Sequence, residues 1–103
     1  MKKIILGLAI LLASVSTVHA HTPLCSCFDN GDDTITCEGG FSDGSSAAGV
    51  AMRLETSDGQ VLLEGKMSED SEFDFDKPGQ DYIVVFDAGE GHRIQVPGKE
   101  IVE

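Results

Sequence analysis

Beyond residue 20 the chain never runs more than twelve residues without glycine or proline. That longest stretch, residues 66–77, is too polar to give a helix an apolar face. No window carries a sustained 3.6-residue apolar period. The apolar residues follow a two-residue rhythm instead. Val50, Met52 and Leu54 alternate with Ala51, Arg53 and Glu55, which gives a strand one buried and one wet face. Ser57-Asp58-Gly59 supplies a turn and residues 60–65 return, so 49–65 is predicted as a hairpin. Phe73 and Phe75 alternate with Glu72, Asp74 and Asp76 in a short strand closed by Lys77-Pro78-Gly79. The run Tyr82-Ile83-Val84-Val85-Phe86 is apolar on both faces, which marks a central strand. Residues 92–96 form a last short strand before Pro97, and Ile101 and Val102 are expected to add an edge contact. Strands every 8–12 residues between glycine-rich turns predict an all-β sandwich.

The first 20 residues read differently. Lys2 and Lys3 precede an apolar run over residues 4–13, and Val18-His19-Ala20 is a small-x-small cleavage pattern, so residues 1–20 are expected to be a secretory signal peptide. An apolar core of about 10 residues is too short to span a bilayer. Leu24 before Cys25 does not fit a lipoprotein anchor. The expected product is periplasmic, starts at His21 and does not insert in the membrane. Losing Lys2 and Lys3 leaves 5 basic against 18 acidic residues, moving the net charge from -11 to -13. Nucleic acids and anionic membrane surfaces need a basic footprint, so both are excluded as partners. Acidity of this degree keeps an exported domain soluble and suits cations or basic partners.

Several motifs in order resemble the transthyretin-like (carboxypeptidase regulatory-like) β-sandwich modules. They are Gly49-Val50, Asp58-Gly59-Gln60-Val61-Leu62, Glu64-Gly65-Lys66, Glu69-Asp70-Ser71-Glu72-Phe73, Asp81-Tyr82 and Asp87-Ala88-Gly89-Glu90-Gly91-His92. The pattern spans roughly residues 48–97 and is most similar to small exported accessory proteins of bacterial nickel and cobalt uptake. The resemblance implies the sandwich fold, a role in metal uptake and a membrane metal transporter or other periplasmic protein as partner. Ser71 stands where such modules usually carry glycine. The segment 21–47 lies outside the resemblance. The predicted organisation is therefore a cysteine-bearing hairpin and Gly/Ser connection over 21–47, then a sandwich domain over 48–103.

Cys25, Cys27 and Cys37 fall within 13 residues around Asn30-Gly31-Asp32-Asp33, a hairpin turn signal. Strand alternation puts Cys25 and Cys27 on one face of the first arm and Ile35 and Cys37 on one face of the second, so all three sulfurs can gather together. Three thiols cannot all pair within one chain. One reading is a disulfide from Cys37 to Cys27 or Cys25, with a spare thiol. Another is a thiolate site, whose soft donors select Cu(I) or Zn(II). The third is a redox-active or intermolecular disulfide through the odd cysteine. The neighbouring acidic residues do not fit calcium. From Asp29, glycine comes third rather than sixth, and position twelve is Gly40 rather than Glu.

Two histidines remain after signal cleavage. As the mature N-terminus, His21 offers both its α-amine and its imidazole, and His92 supplies a second imidazole from the Gly89-x-Gly91-His92 turn. Together they would form a histidine brace suited to Cu(II) or Ni(II). The related amino-terminal motif needs His third, where Pro23 stands. Catalysis finds no support. Ser42, Ser45 and Ser46 lack the Gly-x-Ser-x-Gly elbow, no phosphate loop is present, and there is no C-x-x-C. The chain is expected not to be an enzyme. The candidate metal ligands are Cys25, Cys27, Cys37, His21 and His92, for Cu, Zn or Ni, and the competing reading is a disulfide-stapled interaction module without metal.

Overall fold

A computed structural model describes residues 22–103, and the expected signal peptide and His21 lie outside the described residues. Seven strands are described, in two antiparallel sheets. The first sheet runs β1 (Pro23–Asp29), β2 (Thr34–Phe41), β5 (Glu72–Asp76). The second runs β4 (Val61–Lys66), β3 (Ala51–Glu55), β6 (Ile83–Asp87), β7 (Arg93–Pro97). This is the all-β sandwich expected from the alternation, with the cysteine hairpin first in chain order. Because β2 pairs with β5, the hairpin and a strand from beyond residue 48 share one sheet.

The core lies between the sheets. Ile35 and Cys37 of β2 and Phe75 of β5 face Met52 and Leu54 of β3 and Val84 and Phe86 of β6. β6 is central, between β3 and β7, and Val84, Val85 and Phe86 are all buried, as a strand apolar on both faces requires. Val85 points away from the core and is flanked in register by Arg53 and Gln95. Two glycines let the sheets close. A Cβ on Gly65 would come within 2.5 Å of the Phe73 ring, and one on Gly39 within 2.7 Å of the Phe86 ring.

The turn chemistry is local. Asp29 Oδ1 accepts the Gly31 N–H, Asp32 Oδ1 accepts the Thr34 N–H, and Asn30 Nδ2 donates to the hydroxyls of Thr34 and Thr36. The Asp29 and Asp32 carboxylates therefore act as turn caps, and Lys77 Nζ takes the second oxygen of Asp29 at 2.9 Å. Ser71 adopts φ 61°, in the left-handed region glycine enters freely. Its hydroxyl accepts the Ala47 N–H at 2.9 Å, which ties the Gly/Ser connection to the β5 side of the first sheet. Val102 reaches the first sheet through its carbonyl, which accepts the Asp29 N–H at 3.0 Å.

Candidate sulfur site on the first sheet

β1 and β2 pair with Cys27 directly opposite Cys37 and Cys25 opposite Gly39. The odd-numbered residues of both strands point inward, so the three cysteines share the core-facing side. Asp29 gives its N–H to Val102 rather than to β2, which makes the odd positions of β1 the non-hydrogen-bonded pairs of this ladder. Such pairs are the narrow ones, and the Cα atoms of Cys27 and Cys37 are 4.0 Å apart. Their sulfurs are joined as a disulfide. Of the pairings open in the sequence, the register selects Cys27–Cys37 and leaves Cys25 as the free thiol.

All three sulfurs lie within 4.8 Å of one another. Cys37 is fully buried, while Cys25 and Cys27 are half-buried at the margin of the core. Burial pushes the Cys25 thiol up to about 11, so it stays protonated at neutral pH. A metal ion there would have to displace that proton, and its own charge would offset the desolvation. The scale of the group suits one ion. Thiolate sulfurs about 2.3 Å from a shared metal stand roughly 4 Å apart, close to the spread seen here. Only the Cys27–Cys37 bond must open for all three to serve.

The other expected ligands do not join this group. His92 is exposed in the β6–β7 turn, with Nδ1 3.1 Å from the Glu90 carbonyl oxygen. Among the described residues the three cysteines are the one set of His, Cys, Asp or Glu whose donor atoms converge at metal-binding distance. The histidine brace depends on His21 and so lies outside the described residues. Ser42, Ser45 and Ser46 fall in the connection between β2 and β3, where Asp43 Oδ1 accepts both the N–H and the hydroxyl of Ser45.

Sequence reasoning passed over Gly39. It faces Cys25 without a side chain, and the Phe86 ring and the Met67 methyl fill the space beneath it. Its signal was available: glycine inside a strand marks close approach by another group. A second polar cluster stands on the outer side of the second sheet. Asp87 accepts from Arg53 at 2.8 Å, from Arg93 at 3.1 Å and from the Gly89 N–H at 3.0 Å, and the Arg53 bond is the largest cause holding its carboxyl down to about 2. Glu55 completes the set through Arg53 Nε.

Comparison with family models, with curated proteins and with solved structures found no match.

Proposed function

We propose that this chain handles a soft transition-metal ion, held by the thiolates of Cys25, Cys27 and Cys37 once the Cys27–Cys37 bond is reduced. The observation that carries the reading is the convergence of three sulfurs within 4.8 Å on one face of a rigid sheet. The donor set bears on the metal. Three thiolates with no imidazole among them favour Cu(I) or Zn(II), whereas nickel and cobalt come only from the family resemblance. In the oxidised chain the site has one sulfur to offer, and that sulfur holds its proton. Reduction by an external dithiol, which gives two electrons and two protons to the Cys27–Cys37 bond and leaves as its own disulfide, is therefore the step that opens it. Export through a cleaved signal peptide and docking on a membrane metal transporter complete the proposal, and an oxidising compartment suits the disulfide.

A second reading rests on the disulfide itself. There Cys27–Cys37 staples a small domain, no metal is held, and the module serves only to bind a protein partner. Anaerobic titration with Cu(I), Zn(II), Ni(II) and Co(II), run on the reduced and the oxidised chain, separates the two. Metal handling predicts one ion per reduced chain, weaker binding of that ion in Cys25→Ser, and no sulfur-bound ion in the oxidised chain. The staple reading predicts no binding in either form.

A further inference from the structure

A disulfide exchanges when a thiolate approaches in line with the sulfur–sulfur bond and the far sulfur leaves. The Cys27–Cys37 bond crosses from β1 to β2, which gives it two lines of approach. The line that ends on Cys37 comes from the β5 side. Phe73 stands directly opposite Cys37 in that register, and Cys37 is fully buried, so this line is closed. The line that ends on Cys27 crosses the flank of β1, where Cys27 is half-buried. β7 lies alongside that flank, and its Ile94 and Val96 pack on the core. Residues 98–103 complete the cover. The Val102 carbonyl accepts the Asp29 N–H at 3.0 Å, and the Glu103 carboxylate is the group nearest Gly31. This segment therefore runs in the same sense as β1, which brings Ile101, half-buried against the core, back toward Cys27.

We propose that an external dithiol reduces this chain by attacking Cys27 Sγ, and that residues 98–103 are a strap that lifts to admit it. The entering thiolate forms a mixed disulfide with Cys27, and Cys37 leaves as a thiolate and takes up a proton. The second thiol of the reductant then displaces Cys27, which is protonated in turn, and the reductant departs as its own disulfide. Two electrons and two protons pass from the dithiol to the chain. Cys25 is a bystander in these steps. Its buried thiol holds its proton at neutral pH, so it does not open the bond from within.

The strap is the part of this cover that can move. β7 pairs with β6 along its whole length, from Arg93 to Pro97. Residues 98–103 belong to neither sheet. Their near end is seated closely: the Gly98 N–H donates to the Tyr82 carbonyl at 2.8 Å, and a Cβ on Gly98 would come within 2.5 Å of the Tyr82 ring. Beyond it, the Ile101 N–H returns to the Gly98 carbonyl at 3.1 Å, and the far end is tied to β1 through Val102 and the packing of Ile101. A segment held by so few bonds opens at far lower cost than the whole domain. Gly98 is then the hinge and Ile101 the latch. The assignment concerns the disulfide alone, so it stands or falls separately from the metal reading.

The rate at which dithiothreitol reduces the oxidised, metal-free chain tests this. Lifting a strap exposes little surface, so the rate should hardly change with urea below the unfolding transition. Ile101→Ala should speed reduction several-fold. Leu62→Ala, on β4 at the far edge of the second sheet, should leave the rate as in the parent, and so should Cys25→Ser. A partial reaction with glutathione, quenched in acid and read by tandem mass spectrometry, should place the mixed disulfide on Cys27. Glutathione on Cys37 overturns the point of attack, and slower reduction in Cys25→Ser overturns the bystander role of that thiol. A rate that climbs steeply with urea, or that Leu62→Ala raises as much as Ile101→Ala, means reduction through global unfolding and overturns the strap. So does an Ile101→Ala chain reduced no faster than the parent. Circular dichroism checks that the variants fold, and should Ile101→Ala not do so, the urea dependence of the parent decides.

Discussion

Cys25 and Gly39 lie directly opposite each other on neighbouring strands, so the one free thiol faces a residue without a side chain. The space beneath Gly39 belongs to Phe86, whose ring would stand 2.7 Å from an added Cβ. Phe86 in turn meets Phe41 edge-on, with centroids 6.0 Å apart. The sulfur site is thus propped from below by the aromatic core of the second sheet. Gly39→Ala must move that ring, and overpacking of this kind costs roughly 1–3 kcal/mol. Thermal denaturation of the oxidised protein checks it, and an unchanged midpoint would show that the ring yields freely.

The staple can be weighed in metal-free buffer. Cys27 and Cys37 are 10 residues apart, and closing a loop of that length contributes on the order of 3 kcal/mol in the chain-entropy model. The Cys27→Ala, Cys37→Ala double variant should lose about that much, plus a smaller packing loss at the buried Cys37 position. Equilibrium urea unfolding measures the difference. A loss well under 1 kcal/mol would mean that the hairpin is held by its packing alone.

Reactivity of Cys25 should follow its buried thiol. The thiolate is the reactive form, and a thiol raised to about 11 holds its proton across the neutral range. Alkylation by iodoacetamide should be slow at pH 8, slower than for an unstructured cysteine peptide, and should keep accelerating as pH rises toward 11. A rate that levels off near pH 9 would contradict the burial described here.

Acid should release the Asp87 cluster. Its folded carboxyl lies near 2, below its ordinary value of 3.8, so its stabilising effect is fully present above about pH 4 and lost as pH falls toward 2. Asp87→Asn should be less stable than the parent at pH 6, and the gap should narrow between pH 4 and pH 2. Chemical denaturation at a series of pH values follows it. A gap that stays constant to pH 2 would assign the effect to shape rather than charge.

The strands were legible because alternation is a local signal. Val50, Met52 and Leu54 declared the inward face of β3, and the doubly apolar run at Ile83-Val84-Val85-Phe86 declared β6 as central. The clustering of the three sulfurs was equally legible, since residues two apart in a strand share a side. The choice of Cys27 over Cys25 as the partner of Cys37 was not. It depends on a two-residue shift of register between β1 and β2, which is fixed by the turn at 30–33 and by the pairing of β2 with β5, a contact remote in sequence. The place of His92 was hidden for the same reason: a turn glycine shows that a side chain is presented at a rim, but not what stands across from it. Ser71 shows the converse case. Its left-handed backbone is what a glycine-preferring turn demands, and its hydroxyl bond to Ala47 gives the serine a use no local pattern reveals.

X-ray absorption at the metal edge of the reduced, anaerobically loaded chain tests the central claim most directly. The account predicts three sulfur neighbours at about 2.3 Å around one Cu(I) or Zn(II), falling to two in Cys25→Ser. A bound ion surrounded only by nitrogen and oxygen, or a reduced chain that takes up no ion, would contradict it and leave Cys27–Cys37 as a staple.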